Sequence, residues 1–209
     1  MSSKSLQTLT TEQCRLLLDA LLCSDGTPKQ RHRGIRNFTL ALVMLDAGLR
    51  VGELVQLQKS SLWFNNQPVT SILVPARIAH SSTERYVPLT ERLSEAVKDM
   101  QLHHWSMFVS SVDHPAFYSV QPDRTVSERQ VQRIISAGAL KAFGRTINPH
   151  SLRHTFGTRL MRITNARIVQ VLLGHKHLSS TQIYTHPNQQ DLTTAIASLD
   201  RVEESGDPV

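Results

Sequence analysis

Cysteine is scarce in this chain, with two in 209 residues, and aromatic residues make up only 5%. No run approaches the ~18 apolar residues that a membrane span requires. The opening Met1 to Leu6 is polar and lacks the apolar stretch behind a charged start that marks an export signal. These absences argue against a disulfide-stapled secreted scaffold and against a helical membrane protein, and lead to the expectation of a cytoplasmic chain. Cys14 and Cys23, nine apart around one apolar helical pattern, read as buried thiols more than as a bridge. Acid is also in deficit, 17 Asp and Glu against 23 Lys and Arg, for a net charge of +6. Of those cations 17 are Arg, whose planar fork meets a phosphate with two hydrogen bonds where Lys offers a point charge. With 40% hydrophobic residues the chain can bury one sizeable core, and its basic balance suits a polyanion partner.

The hydrophobic period is mostly helical. Thr10 with Gln13 reads as a capping box opening a helix that carries Leu16, Leu17, Leu21 and Leu22. Ser24 to Arg33, with Gly26, Pro28 and three cations, reads as a basic loop. The apolar run Phe38 to Ala47 reads as a core helix stopped by Gly48, which leaves Arg50 in a tight corner before a helical pattern over Gly52 to Leu57. Between Ser61 and Leu89 the period shortens. Leu62 to Phe64, Ser71 to Val74 and Tyr86 to Val87 read as a small three-stranded antiparallel sheet. Helical signals return from Thr90 with Leu93, Val97 and Met100, break over Pro115 to Asp123, and resume at a second capping box, Ser127 with Gln130. Three or four short helices fill Asn148 to Val202, with breaks at Thr164-Asn165, Gly174 and Pro187. The fold class expected is α+β and mainly helical, one domain with a small sheet inserted.

Polar residues gather in His150-Ser151-Leu152-Arg153-His154, in Gly174-His175 and in Tyr184-Thr185-His186. His150 and His154 lie one helical turn apart, a spacing that could bind zinc, but the Glu that completes the protease signature is missing between them and no metal is expected. Arg153-His154 also resembles the dipeptide of histidine phosphatases, though it stands late in the chain on a helical pattern rather than after an early strand. Taken singly, each His is more simply a hydrogen-bonded imidazole.

Together the stretches Ala47-Gly48-Leu49-Arg50-Val51-Gly52-Glu53-Leu54, Pro149 to Thr155, and Leu172-Leu173-Gly174-His175 leading to Thr181-Gln182-Ile183-Tyr184-Thr185-His186 resemble the signature boxes of the tyrosine recombinase (phage integrase) family, in its order and spacing. The likeness is nearest to bacterial Xer-type and mobile-element integrases and covers roughly Leu9 to Leu199. It implies a site-specific recombinase that cleaves and rejoins double-stranded DNA without metal or other cofactor, through a 3′-phosphotyrosyl intermediate. Tyr184 would be the nucleophile, its phenol losing a proton as it attacks. Arg50 and Arg153 would meet the charge on the nonbridging phosphate oxygens, with His175 as a third donor. His150 would accept the tyrosine proton or orient its neighbours, and Glu53 would hold the Arg50 guanidinium or cap the helix start.

Two features depart from the family pattern. Its members usually carry a lysine on the hairpin before the last strand as general acid for the leaving 5′ oxygen, yet none occurs between Lys59 and Lys98. Counting back from Glu84-Arg85-Tyr86-Val87-Pro88-Leu89 puts His80 in that place; the alternatives are Arg77, water or no acid at all. The catalytic pattern also begins at Leu9, so the expected layout is a polar tail over 1–8, a catalytic domain over 9–200 and a polar tail over 201–209, without the N-terminal core-binding domain. The competing reading is a DNA-binding regulatory or degenerate integrase-like protein with little cleavage; relaxation of supercoils is a third. Self-association on DNA, from dimer to tetramer, is expected, with the apolar face Leu192, Ala195, Ile196 and Leu199 packing either on a neighbouring subunit or on its own core.

Overall fold

Most of the described helices open on a short polar side chain that accepts from free amides. The computed structural model describes residues 8–22, 26–79, 83–107, 113–119, 124–175 and 189–204. Thr10 and Gln13 cap each other reciprocally, at 3.1 and 3.2 Å, and open α1 (Thr11–Leu22). Ser127 and Gln130 do the same for α5 (Glu128–Phe143). A third box lies inside the expected basic loop. Thr27 and Gln30 cap each other and Pro28 takes the first helical position, so α2 (Pro28–Asp46) begins inside the expected basic loop and carries Lys29, Arg31 and Arg33 on its first turns. Proline there loses no hydrogen bond, since the first amides of a helix have no partner within it.

The second half of α2, Leu40 to Leu45, is wholly buried and forms the centre of the core. It packs against α1, against α4 (Glu91–His103) and against α6 (Pro149–Ile163), while α5 closes on α1. Between them run a short α3 (Val51–Leu54) and α7 (Ala166–Leu173), with α8 (Gln189–Glu204) last. Cys14 is buried, and Cys23 lies outside the described residues. No helix among the described residues is long and apolar enough to cross a membrane.

The expected three-stranded sheet is instead two separate antiparallel pairs, β1 (Trp63–Phe64) with β2 (Gln67–Pro68) and β3 (Ser71–Val74) with β4 (Arg85–Pro88). Asn65 and Asn66 both take left-handed backbone, φ 50 and 59, and so fold β1 straight back on β2 in a two-residue turn. Trp63–Phe64 thereby finds its partner locally and does not join the longer hairpin. In that hairpin the alternation is clear. Arg85 and Val87 face in, while Tyr86 and its cross-strand neighbour Leu73 face out.

Of the two placements open for the α8 face, the chain adopts the one on its own core. Leu192, Ala195, Ile196 and Leu199 are buried against α6, α7, α4 and β4 of the same chain.

Candidate active site

Asp46, the last residue of α2, is fully buried and accepts from Thr90 Oγ1 at 2.8 Å and from Arg92 Nε at 2.6 Å, which pins this helix end to the start of α4. The chain then turns at Gly48. Its φ is +61, and a Cβ there would meet the Phe156 ring at 2.3 Å, so only glycine fits. Arg50 follows at the mouth of α3. Its main-chain N–H donates to Glu53 Oε2 at 2.8 Å, and its guanidinium lies 3.4 Å from Glu53 Oε1. Glu53 therefore does both things the spacing allowed, capping the helix start and holding Arg50.

Arg153 reaches the same point from the inner face of α6. It donates to the carbonyls of Gly48 and Leu173, the latter at 2.6 Å, and its Nη1 is 3.9 Å from Glu53 Oε2. Burial, with Arg50 beside it, pushes its pKa down to about 9, which leaves it a cation at neutral pH that stands to gain from a nearby anion. His150 is the exposed residue of an otherwise buried first turn of α6, where the Asn148 side chain accepts from its N–H at 2.9 Å. His175 stands just past α7, where Gly174 takes φ +64 and the His175 main chain bonds Gln170 twice, at 3.0 and 2.9 Å. Both imidazoles are held below the ordinary histidine value, first by partial burial and then by Arg153 and Arg50. The interaction places Arg50, Arg153, His150 and His175 within one another's fields.

One residue of this cluster escaped the sequence reading. Arg85, on the inward face of β4, forks onto Glu53 at 3.0 and 2.6 Å and donates Nε to the Leu172 carbonyl at 2.9 Å. Burial alone would raise the Glu53 carboxyl, but the Arg85 fork and the Arg50 amide outweigh it and hold the group below the usual carboxylate range. A signal was available: in a strand with Val87 inward, Arg85 must point inward too, and a buried guanidinium needs a carboxylate.

Tyr184 and His80 lie outside the described residues. The hairpin before His80 is described as far as Ala79, with Arg77 exposed and Ile78 and Ala79 buried. His154 is exposed on α6 and contributes to the lowering at His150. Among the described residues no three His, Cys, Asp or Glu side chains gather as a metal site would need.

Three guanidiniums share one carboxylate, with two imidazoles at the rim, so the cluster keeps an excess of positive charge and of fixed N–H donors. That is the equipment of a protein that grips an oxyanion such as phosphate. Comparisons with known proteins identify the family. Residues 7–191 match the Phage integrase family, and the chain belongs to it. Tyrosine recombinase XerC of Pediococcus pentosaceus is 32% identical over 191 residues, covering 87% of this chain and 58% of that protein. Tyrosine recombinase XerD of Bradyrhizobium diazoefficiens is also 32% identical, over 86% of this chain and 57% of that protein. Among solved structures, XerA recombinase superposes with a TM-score of 0.67 at 25% identity, over 99% of this chain and 66% of that one. The chain thus spans less than two thirds of the length of each of these relatives.

Proposed function

We propose that this chain cleaves and rejoins duplex DNA as a site-specific recombinase, through a covalent 3′-phosphotyrosyl intermediate and without a metal. The reading rests on one observation above others: Arg50 and Arg153, from separate stretches of sequence, converge on Glu53, with His150 from the Arg153 helix and His175 from a third stretch in the field of both, in a fold shared with XerA recombinase. In this scheme Arg50 and Arg153 bind the nonbridging oxygens of one phosphodiester, and His175 adds a third donor. The Tyr184 oxygen attacks phosphorus as its proton passes to His150. The bond from phosphorus to the 5′ oxygen breaks, and His80 supplies the proton that this oxygen needs to leave. A 5′ hydroxyl from another strand then attacks the phosphotyrosine and frees Tyr184.

A nicked duplex that loses its short 5′ fragment after cleavage traps the covalent complex. Wild-type protein should give a covalent protein–DNA band that survives EDTA, and Tyr184→Phe should give none while still binding DNA. A wild-type band in the Tyr184→Phe variant removes Tyr184 from its role. If wild type binds this duplex and a supercoiled plasmid yet forms no covalent species on either, the non-cleaving alternative replaces this proposal. Replacing the leaving oxygen by sulfur tests the acid, since a thiolate departs without a proton. His80→Ala should be slow on ordinary DNA and restored on the sulfur substrate, and equal slowing on both rules His80 out.

A further inference from the structure

The cluster holds three guanidiniums against a single carboxylate, and the way they divide it is uneven. Arg85 takes both oxygens of Glu53 in a fork at 3.0 and 2.6 Å, whereas Arg50 reaches one oxygen at 3.4 Å and Arg153 the other at 3.9 Å. Arg85 itself is closed off. Its side chain is 2% exposed, its Nε is committed to the Leu172 carbonyl, and it lies directly under Gly174, where an added Cβ would come within 3.1 Å of its Cδ. With Nε and both terminal nitrogens engaged by Leu172 and Glu53, Arg85 has no fork left to offer a phosphate. The Arg50 side chain, by contrast, is 24% exposed.

We infer that Arg85 is a positioning residue that keeps the Glu53 charge away from Arg50 and Arg153, so that both guanidiniums remain available to a phosphate. This rests on the proposed phosphate-directed reading of the site and adds to it the device that sets the site's charge. The Arg85–Glu53 pair is neutral as a unit, which leaves two positive charges, on Arg50 and Arg153, facing a phosphodiester that carries one negative charge. Without the fork, Glu53 remains buried and ionised within reach of both, and its carboxylate turns onto the guanidiniums that the phosphate requires. At short range and in a low dielectric that competition is strong, because ion pairing there is weakly screened. Glu53 is retained all the same because its Oε2 caps the amide of Arg50 and fixes the corner. The side chain is thus needed for its shape and hydrogen bond, while its charge must be occupied.

The test separates charge from shape. Arg85→Lys keeps a cation but loses the fork, so one carboxylate oxygen is released. Glu53→Gln keeps an oxygen to cap Arg50 and removes the charge. Affinity for inorganic phosphate, followed through the Nε–Hε NMR signals of Arg50 and Arg153, reads the pocket without any turnover, and the covalent-complex rate reads its use. Arg85→Lys should weaken phosphate and slow covalent attachment by about tenfold or more, as expected when a single-pronged cation replaces a bidentate one. Adding Glu53→Gln to it should restore both to near the level of Glu53→Gln alone. A packing defect would not be repaired in this way, so a double variant no better than Arg85→Lys overturns the inference, as does wild-type phosphate affinity in Arg85→Lys. Should Arg85→Lys fail to fold, the neutral pair Arg85→Met with Glu53→Gln decides the matter, since exchanging a buried ion pair for uncharged groups is often tolerated. Phosphate binding near wild type in that variant supports the inference, and loss of it overturns it. A wild-type protein that binds phosphate in this pocket yet never attaches to DNA sinks strand transfer and leaves the role of Arg85 standing.

Discussion

Arg153 donates to the carbonyls of both Gly48 and Leu173, so a buried cation of the site also ties the Arg50 corner to the end of α7 that carries His175. Its neighbours set the charge of the two imidazoles. His150 and His175 are lowered first by burial and then by Arg153 and Arg50. An imidazole lowered in this way keeps its neutral form to pH values below the ordinary ~6.5, so a base at His150 stays competent as the solution turns mildly acidic. We expect the acid limb of kcat/KM for covalent attachment, which reports groups of the free enzyme, to set in only below about pH 6.5. His150→Ala should lower the plateau by about a hundredfold and flatten the acid limb. An acid limb centred above 6.5, or one unchanged in His150→Ala, would show that some other group accepts the proton. The same residues show how far the sequence could be read at this scale. Arg50, Glu53, His150, Arg153 and His175 were all legible as members of local boxes. Arg85 was not, because the residue it serves lies 32 positions away and no short motif joins them.

Elements were legible where the signal was local and long. The boxes at Thr10 and Ser127 and the Gly48 stop mark real helix ends because capping is decided within four residues. The box at Thr27 was hidden by its own composition, since Gly26, Pro28 and three cations resemble a loop while Pro28 in fact stands at a position that favours it. The β1–β2 hairpin is local, but its second strand, Gln67–Pro68, is two residues long and carries no apolar alternation to mark it. The end of α4 carries its own testable consequence. His104, at the helix end, is buried, stacks on Tyr118 with ring centroids 4.1 Å apart, and has an Nε2 with no hydrogen-bond partner among the described residues. Burial first, then Arg36 and His32, push its pKa down to about 3. Because the unfolded chain takes up this proton near pH 6.5 and the folded one does not, its contribution is complete above ~6.5 and is lost as pH falls toward 3, at ~1.4 kcal/mol per unit. His104→Phe keeps the stack and removes the titration. Urea unfolding at pH 7 and at about pH 4.5 should therefore show wild type losing a few kcal/mol more than the variant over that interval. Equal losses in the two proteins would mean that His104 is protonated in the fold.

At the scale of the whole molecule the chain is an arginine-rich body with a net charge of +6, and its positive residues extend well beyond the site. Lys29, Arg31 and Arg33 stand exposed or nearly so on the first turns of α2, and Arg129 and Arg133 are exposed on α5, whose first residue approaches the Arg50 corner, the Glu128 carboxylate lying 3.2 Å from where a Cβ on Gly52 would sit. Where a duplex gripped at the site also reaches such a cation, each phosphate neutralised releases bound counterions. The strength of that grip should depend on salt in a countable way. The logarithm of the DNA association constant should fall linearly with the logarithm of salt concentration, with a slope of about 0.9 per phosphate contacted. Removing one exposed cation, as in Arg133→Ala, should reduce the slope by about one if that side chain meets a phosphate, while a change at a buried structural pair such as Arg85 with Glu53 should leave the contribution of Arg133 alone. Tyr184→Phe should keep the wild-type slope, because a phenol carries no charge to exchange. A flat salt profile in the wild type would remove DNA as the principal partner, and would point to a ligand recognised by shape and apolar contact instead.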